Sequence, residues 1–251
     1  MDESQPDTIN VTDIINSINI TQDDLNNIRS ILDNIPDFSN NMSNVQYFII
    51  LASLINVLNN NIKGSIVELG CNSGGTSVRI SKILDLYNSL KSFHVYDTFK
   101  GMPPHNEIKD NNINPIFLEH SMCCSVSKFS HVMEQLNIGR MPIIHQGLFC
   151  EINEDEYPLE ICFAFFDSHL YDSIYDSFKL IWDKLQINGI IVIDDYEYTD
   201  LPGVKKACID YFKIINISNT TTYHILYCNY NQLVIQKILI DIINSNKIVN
   251  I

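Results

Sequence analysis

Positive charge is scarce in this chain of 251 residues: 16 Lys+Arg stand against 30 Asp+Glu, a formal net charge of -14. A surface that acidic cannot neutralise a run of phosphates, so a nucleic-acid partner is not expected and a small neutral or cationic partner fits better. Long apolar runs are also missing. The longest, residues 47–58, is broken by Ser53 and Asn56 and falls short of the roughly 20 residues that span a bilayer, so no membrane insertion is expected. Among the seven cysteines there is no CxxC pair, which reads as reduced thiols and not as a disulfide framework or a zinc site. The opening Met-Asp-Glu-Ser-Gln-Pro lacks the basic and apolar regions of a signal peptide. The expected location is therefore the cytoplasm, or the host cytoplasm if the AT-biased composition, rich in Asn and Ile, comes from a virus. Disorder is excluded by what is present: 45% hydrophobic and 18% charged residues suffice for a packed core.

The chain divides into an N-terminal helical extension over residues 1–44, expected to act as a lid, and one domain over residues 45–251. Residues 1–21 are polar. Leu25, Ile28, Ile31 and Leu32 at helical spacing predict a helix over 23–35 with Thr21 as its N-cap. A second, more apolar helix is predicted over 45–58. From there short apolar runs alternate with helical segments: strands over 65–69, 92–96, 142–145, 161–166 and 189–193, and helices to about 90, over 125–136, 171–185 and 202–212. Strands separated by helices pair in parallel through crossovers. A hairpin over 222–228 and 233–238 adds an antiparallel edge. The expected fold is thus α/β, a doubly wound, mostly parallel seven-stranded sheet.

The chemistry-bearing residues collect where such a sheet binds its ligands, at the C-terminal ends of the strands. Residues 67–77 read Val-Glu-Leu-Gly-Cys-Asn-Ser-Gly-Gly-Thr-Ser. Their glycines permit a sharp turn and close approach to a ligand, yet the spacing matches neither G-x-G-x-x-G nor a P-loop, which needs a Lys after its last glycine. Asp97 ends the next strand, where a carboxylate can accept hydrogen bonds from ribose hydroxyls. A nucleoside-containing cofactor is expected, with a plain turn beside a solvated Asp as the alternative. Asp167, Asp194 and Asp195 close two strands expected to be neighbours. Three carboxylates there repel one another unless a cation or protons intervene. The absence of His and Cys from the trio favours Mg2+ over Zn2+. His169, two residues past Asp167, suits proton transfer, or else is structural. Tyr171, Tyr175 and Phe178 at helical spacing read as core, and the Asp23-Asp24 pair as a solvated face.

Together with Val95-Tyr96-Asp97-Thr98-Phe99-Lys100-Gly101-Met102-Pro103, Phe166-Asp167-Ser168-His169-Leu170-Tyr171-Asp172-Ser173 and Ile193-Asp194-Asp195-Tyr196, these segments resemble the macrocin O-methyltransferase family over residues 45–240. The resemblance implies a class I, Rossmann-like methyltransferase sheet, S-adenosylmethionine as methyl donor, Mg2+, and a sugar or glycan hydroxyl as acceptor. It implies that Glu68, Gly70, Cys71, Asn72, Ser73, Gly74, Thr76 and Ser77 surround the methionine half of the cofactor. Asp97 would take the ribose, Thr98, Phe99 and Met102 would flank the cofactor, and Gln146, Gly147 and Leu148 would lie near adenine. Asp167, Asp194 and Asp195 match the metal carboxylates, with Asp167 and His169 at the reacting centre. His169 departs from the family, which usually carries an acid there, and Cys150-Glu151-Ile152-Asn153 replaces an acidic-Thr-Leu-Pro stretch. Family members often form homo-oligomers, and no sequence feature fixes a number. The alternatives are a catechol-type O-methyltransferase and a non-catalytic cofactor-binding partner of a glycosyltransferase.

Overall fold

The computed structural model describes residues 18, 20–36, 42–217 and 220–240. The expectation for residues 1–17 lies outside the described residues. Seven strands form one sheet: β1 (Ser65–Leu69), β2 (Phe93–Asp97), β3 (Ile143–Gln146), β4 (Ile161–Phe166), β5 (Leu185–Ile193), β6 (Thr221–Asn229) and β7 (Gln232–Leu239). Their order is β3-β2-β1-β4-β5-β7-β6. The first five strands pair in parallel, and β7 pairs antiparallel with both β5 and β6.

The central strand β4 shows why the sheet is covered on both faces. All of Ile-Cys-Phe-Ala-Phe-Phe is buried, and a strand apolar on both sides is stable only between two layers. Phe163 and Phe165 enter one core with Ile66 and Val192; Ala164 and Phe166 enter the other with Val67 and Ile191. Each fully buried phenylalanine contributes roughly 1.5–3 kcal/mol by leaving water. The first core is closed by α1 (Gln22–Asn34), α2 (Asn44–Asn59), α3 (Gly75–Leu86) and α4 (Val126–Gln135). The second is closed by α5 (Tyr171–Ile181) and α6 (Pro202–Ile215). No helix among the described residues is long and apolar enough to cross a membrane.

Thr21 caps α1 as expected, in a capping box with Asp24, and Ser43 does the same for α2 with Gln46. Asp24 is not the solvated residue the sequence suggests. It is 5% exposed, because Tyr87 and Asn59 also donate to its carboxylate. Several boundaries differ from expectation: β5 begins at Leu185 instead of 189, and α6 runs to Ile215 instead of 212. Helix α3 stops at Leu86, where Asn88 takes a positive φ and turns the chain. Helix α5 ends at Ile181 so that β5 can begin at Leu185, paired with Ile161.

The chain runs from β1 outward to β2 and β3, then returns to build β4 and β5 on the other side of β1. The loops leaving β1 and β4 therefore diverge and open a crevice between them. Gly70 sets how close they come. It sits at φ +94°, and a Cβ there would lie 2.1 Å from the carbonyl oxygen of Asp167. Asp167 N in turn donates to Leu69 O at 2.9 Å. Gly70→Ala is expected to lower stability by more than about 2 kcal/mol, from the clash and the left-handed backbone together. Thermal unfolding checks this, and an unchanged Tm would contradict it.

Candidate active site

The crevice is a cavity at the C-terminal edge of the parallel strands that, with the open space at its mouth, holds about 970 Å³. Gly70, Cys71, Asn72, Ser73 and Thr76 form one wall, and Asp97, Thr98 and Met102 continue it from β2. Leu148 faces it from beyond β3, and Asp167, His169, Asp194 and Asp195 close the far side. Gly74, at φ +89°, is the N-cap of α3 and offers no side chain to its amides, so the helix start at Gly75 and Thr76 faces the cavity uncapped. Such an end stabilises an anionic group, as a methionine carboxylate would be.

Six residues expected at the cofactor are not among those that line the cavity. Glu68 is fully buried under the glycine loop, where Ser77 Oγ donates to its Oε2 at 2.6 Å. A Cβ on Gly74 would touch Phe129, and Phe99 packs edge-on against that same ring at 5.8 Å. Gln146, at the exposed end of β3, donates to Thr98 O, and Gly147 N donates to Asp97 O. These residues shape the wall and do not line it. The wall also contains Met42, Tyr47, Met122, Phe149 and Ser173, which the sequence reading missed. Met42, Tyr47 and Met122 arrive from outside the strand ends, and apolar residues at a helix start or in a loop carry no periodic signal.

Asp97 does more than line the cavity. Its Oδ2 accepts from Cys71 N (3.0 Å) and Asn72 N (2.9 Å), and its Oδ1 accepts from Phe99 N (2.8 Å). The carboxylate thus ties the loop after β1 to the loop after β2 and fixes the shape of the glycine turn.

The acidic residues after β4 and β5 meet as the strand pairing requires. One ligand atom each from Asp167, His169 and Asp195 lie within 4.8 Å of one another, and His169 Nε2 is 3.4 Å from Asp195 Oδ2. Asp195 reaches this group from a left-handed backbone, φ +56°. Asp194 also lines the cavity, but its Oδ1 accepts from Gln46 Nε2 (3.1 Å) and Gln232 Nε2 (2.9 Å). Gln46 and Gln232 come from α2 and β7, and sequence spacing gave no hint of either.

Burial and mutual repulsion push the carboxyls of Asp167 and Asp194 up, and burial pushes up that of Asp195. Burial pushes the His169 imidazole down, against the pull of Asp194 and Asp97. Among the described residues the only basic side chain in an ion pair with the three is His169. Oxygen donors in excess of positive charge are the chemistry of a hard divalent cation site, so Mg2+ fits the residues present.

The ring of Phe117 stacks on His169, with centroids 5.3 Å apart and planes 20° from parallel. Phe117 belongs to the loop after Met102. Backbone hydrogen bonds fasten that loop at its base, His120 N to Met102 O and Met102 N to Ser121 O, each 2.9 Å.

Comparisons with known proteins agree with this arrangement. The chain matches the macrocin O-methyltransferase (TylF) family over residues 10–226. No curated protein matches it in sequence. Among solved structures, the O-methyltransferase NovP shares 18% identity at a TM-score of 0.64, over 84% of this chain and 79% of its own. The calicheamicin methyltransferase CalS11 shares 15% at 0.58, over 94% and 99%. The SAH-bound methyltransferase PaMTH1 of Podospora anserina shares 13% at 0.55, over 96% and 100%. At these identities the likeness is one of fold.

Glu68 supplies a test of the buried floor. Burial, with the charge of Asp97 adding to it, raises its carboxyl from 4.5 to about 8 against the opposing hydroxyl of Ser77. Between those values the folded state keeps a proton that the unfolded chain has lost. Stability therefore falls as pH rises through that window and levels off above it. Glu68→Gln removes the ionisation and is expected to raise Tm by several degrees at pH 8 and little at pH 4.5. Circular dichroism melts check this; a gain that does not grow with pH would contradict it.

Proposed function

The chain belongs to the macrocin O-methyltransferase family and is an S-adenosylmethionine-dependent O-methyltransferase, and we propose that its acceptor is a sugar hydroxyl, free, nucleotide-linked or in a glycan, methylated with the aid of Mg2+. The observation that carries this reading is that the Asp167, His169 and Asp195 group closes the same cavity that the glycine loop opens. Support for a sugar comes also from a neighbour: the apo structure of CalS11 is described as a TDP-rhamnose 3'-O-methyltransferase.

In this reading the uncapped start of α3, with Ser73 and Thr76, receives the methionine carboxylate of the donor. Asp97 holds the glycine turn and faces the ribose, while Met102 and Leu148 flank the base. Asp167, Asp194 and Asp195 would hold the cation. When bound, such an ion offsets the repulsion of the carboxylates and makes an adjacent hydroxyl more acidic. Gln46 and Gln232 fix one oxygen of Asp194, so its second oxygen is presented in one direction.

His169 takes the proton. Burial lowers the affinity of its imidazole for a proton, and its Nε2, 3.4 Å from Asp195 Oδ2, lies among the acidic groups of the cavity where the acceptor oxygen attacks the methyl carbon. The bond from carbon to the sulfonium sulfur breaks, the bond to oxygen forms, and the hydroxyl proton passes to the ring. In the extension over residues 1–44, helix α1 docks on α2 and α3, and among its described residues Met42 lines the cavity.

Incubation with radiolabelled S-adenosylmethionine and a panel of TDP-rhamnose, other nucleotide hexoses and catechols tests the acceptor class. Label is expected on a hexose, to disappear in EDTA and to return with Mg2+. Labelling of catechols alone, or turnover that survives EDTA, would contradict the reading. His169→Gln is expected to lower kcat by about 10²–10⁴-fold while donor affinity by calorimetry stays within a few-fold.

A further inference from the structure

We propose that Phe117 is a positioning residue that holds the His169 imidazole in the orientation its reaction requires; the proposal rests on His169 being the proton acceptor. A histidine ring has a broad, soft torsion about its last side-chain bond, so an unbraced imidazole samples orientations that turn Nε2 away from the acceptor. A reacting group is held in productive geometry when packing locks its rotamer. The stacked ring of Phe117, 5.3 Å from His169, supplies such a contact on one face of the imidazole. Tyr198 closes against Phe117 edge-on, with centroids 6.3 Å apart at 88°. Tyr198 N donates to Asp195 O at 3.1 Å, so the ring that supports Phe117 is itself tied to the residue facing His169 Nε2.

The loop is built to deliver that ring. Beyond the hydrogen bonds at its base, the carboxylate of Asp110, 1% exposed, accepts from Tyr171 N at 2.8 Å and Asn106 N at 3.0 Å. This fastens the loop to the first residue of α5, two positions after His169. Gly203 in α6 makes room for it, since a Cβ there would lie 1.7 Å from Asp110 Oδ1. Closer to Phe117, Asn114 N donates to Asp200 O (3.0 Å) and Asn114 Nδ2 to Asp200 Oδ2 (2.8 Å). Asn114 Oδ1 then accepts from Ile116 N, which opens the single 3-10 turn Pro115–Phe117. Within that turn and just after it, Ile116 is 63% and Leu118 38% exposed, whereas Phe117 is turned inward against His169. The loop is thereby fixed to both segments that carry the reacting group, the start of α5 and the turn after Asp195.

The test uses the full chain saturated with S-adenosylhomocysteine, comparing Phe117→Leu, Phe117→Tyr and the neighbouring Ile116→Ala. The His169 ring signals, identified by their loss in His169→Gln, are followed by NMR. In Phe117→Leu they are expected to lose the shift imposed by the stacked ring and to broaden, while S-adenosylhomocysteine affinity stays within about twofold. Phe117→Tyr and Ile116→Ala are expected to leave them in place. With the acceptor from the hexose panel, Phe117→Leu should lower kcat at least tenfold, Phe117→Tyr should restore it, and Phe117→Leu should cost nothing further in a His169→Gln background. Unmoved His169 signals in Phe117→Leu, an equal kcat loss in Phe117→Tyr, or the same loss in both backgrounds would overturn the proposal. An active His169→Gln enzyme would instead sink the assignment of His169 as proton acceptor, whatever the NMR shows for Phe117.

Discussion

Three carboxyl groups, one buried and two half-buried, cannot readily share one sheet edge as free anions, and much of this active site is organised around that repulsion. Asp167 follows β4, and Asp194 and Asp195 follow β5, its direct parallel neighbour, so the register itself brings the charges together. The protein meets the cost in different ways at different groups. Asp194 is given two amide donors from distant elements, Gln46 and Gln232. Asp195 is turned by a left-handed backbone to face His169. Among the described residues no side-chain amide donates to Asp167, and its carboxyl is the one driven well up by burial and by its neighbours. A site so short of positive charge is matched to a divalent cation beside a sulfonium donor.

The same edge must also hold the donor, and the fold achieves this by making one residue serve both halves. Gly70 lets the loop after β1 approach the backbone at Asp167, which sets the cofactor wall against the acidic group. Asp97 then locks that loop from the other side through three backbone amides. Loss of Asp97 would thus disturb the glycine turn as well as any contact with ribose, so weakened donor binding in a variant would not by itself place the ribose beside it. The loop after Met102 completes the enclosure as a brace fastened to α5 and to the turn at Asp200.

Much of this was legible in the sequence because it depends on residues local to strand ends. The five apolar runs, the glycine turn and the acids that follow β2, β4 and β5 could be placed by periodicity and breaking residues alone, and β1 and β4 were bounded to the residue. What could not be read depends on contacts over long separations. Gln46 and Gln232 stand near the starts of largely apolar elements, and nothing local distinguishes them from surface amides. Glu68 and Ser77 belong to the recognised motif, yet the strand's alternation sends Glu68 beneath the wall and not onto it. Phe117 lies in a loop without periodicity, and only the folded chain shows which of its apolar residues turns inward.

The account stands on the donor's reacting end facing the acidic group across one cavity. A crystal structure of the protein with S-adenosylhomocysteine and magnesium measures this most directly. The account predicts the product's sulfur directed toward Asp167, His169 and Asp195, with a metal ion held by the aspartates. A nucleoside bound with its sulfur turned away from them, or a cation held elsewhere, would contradict it.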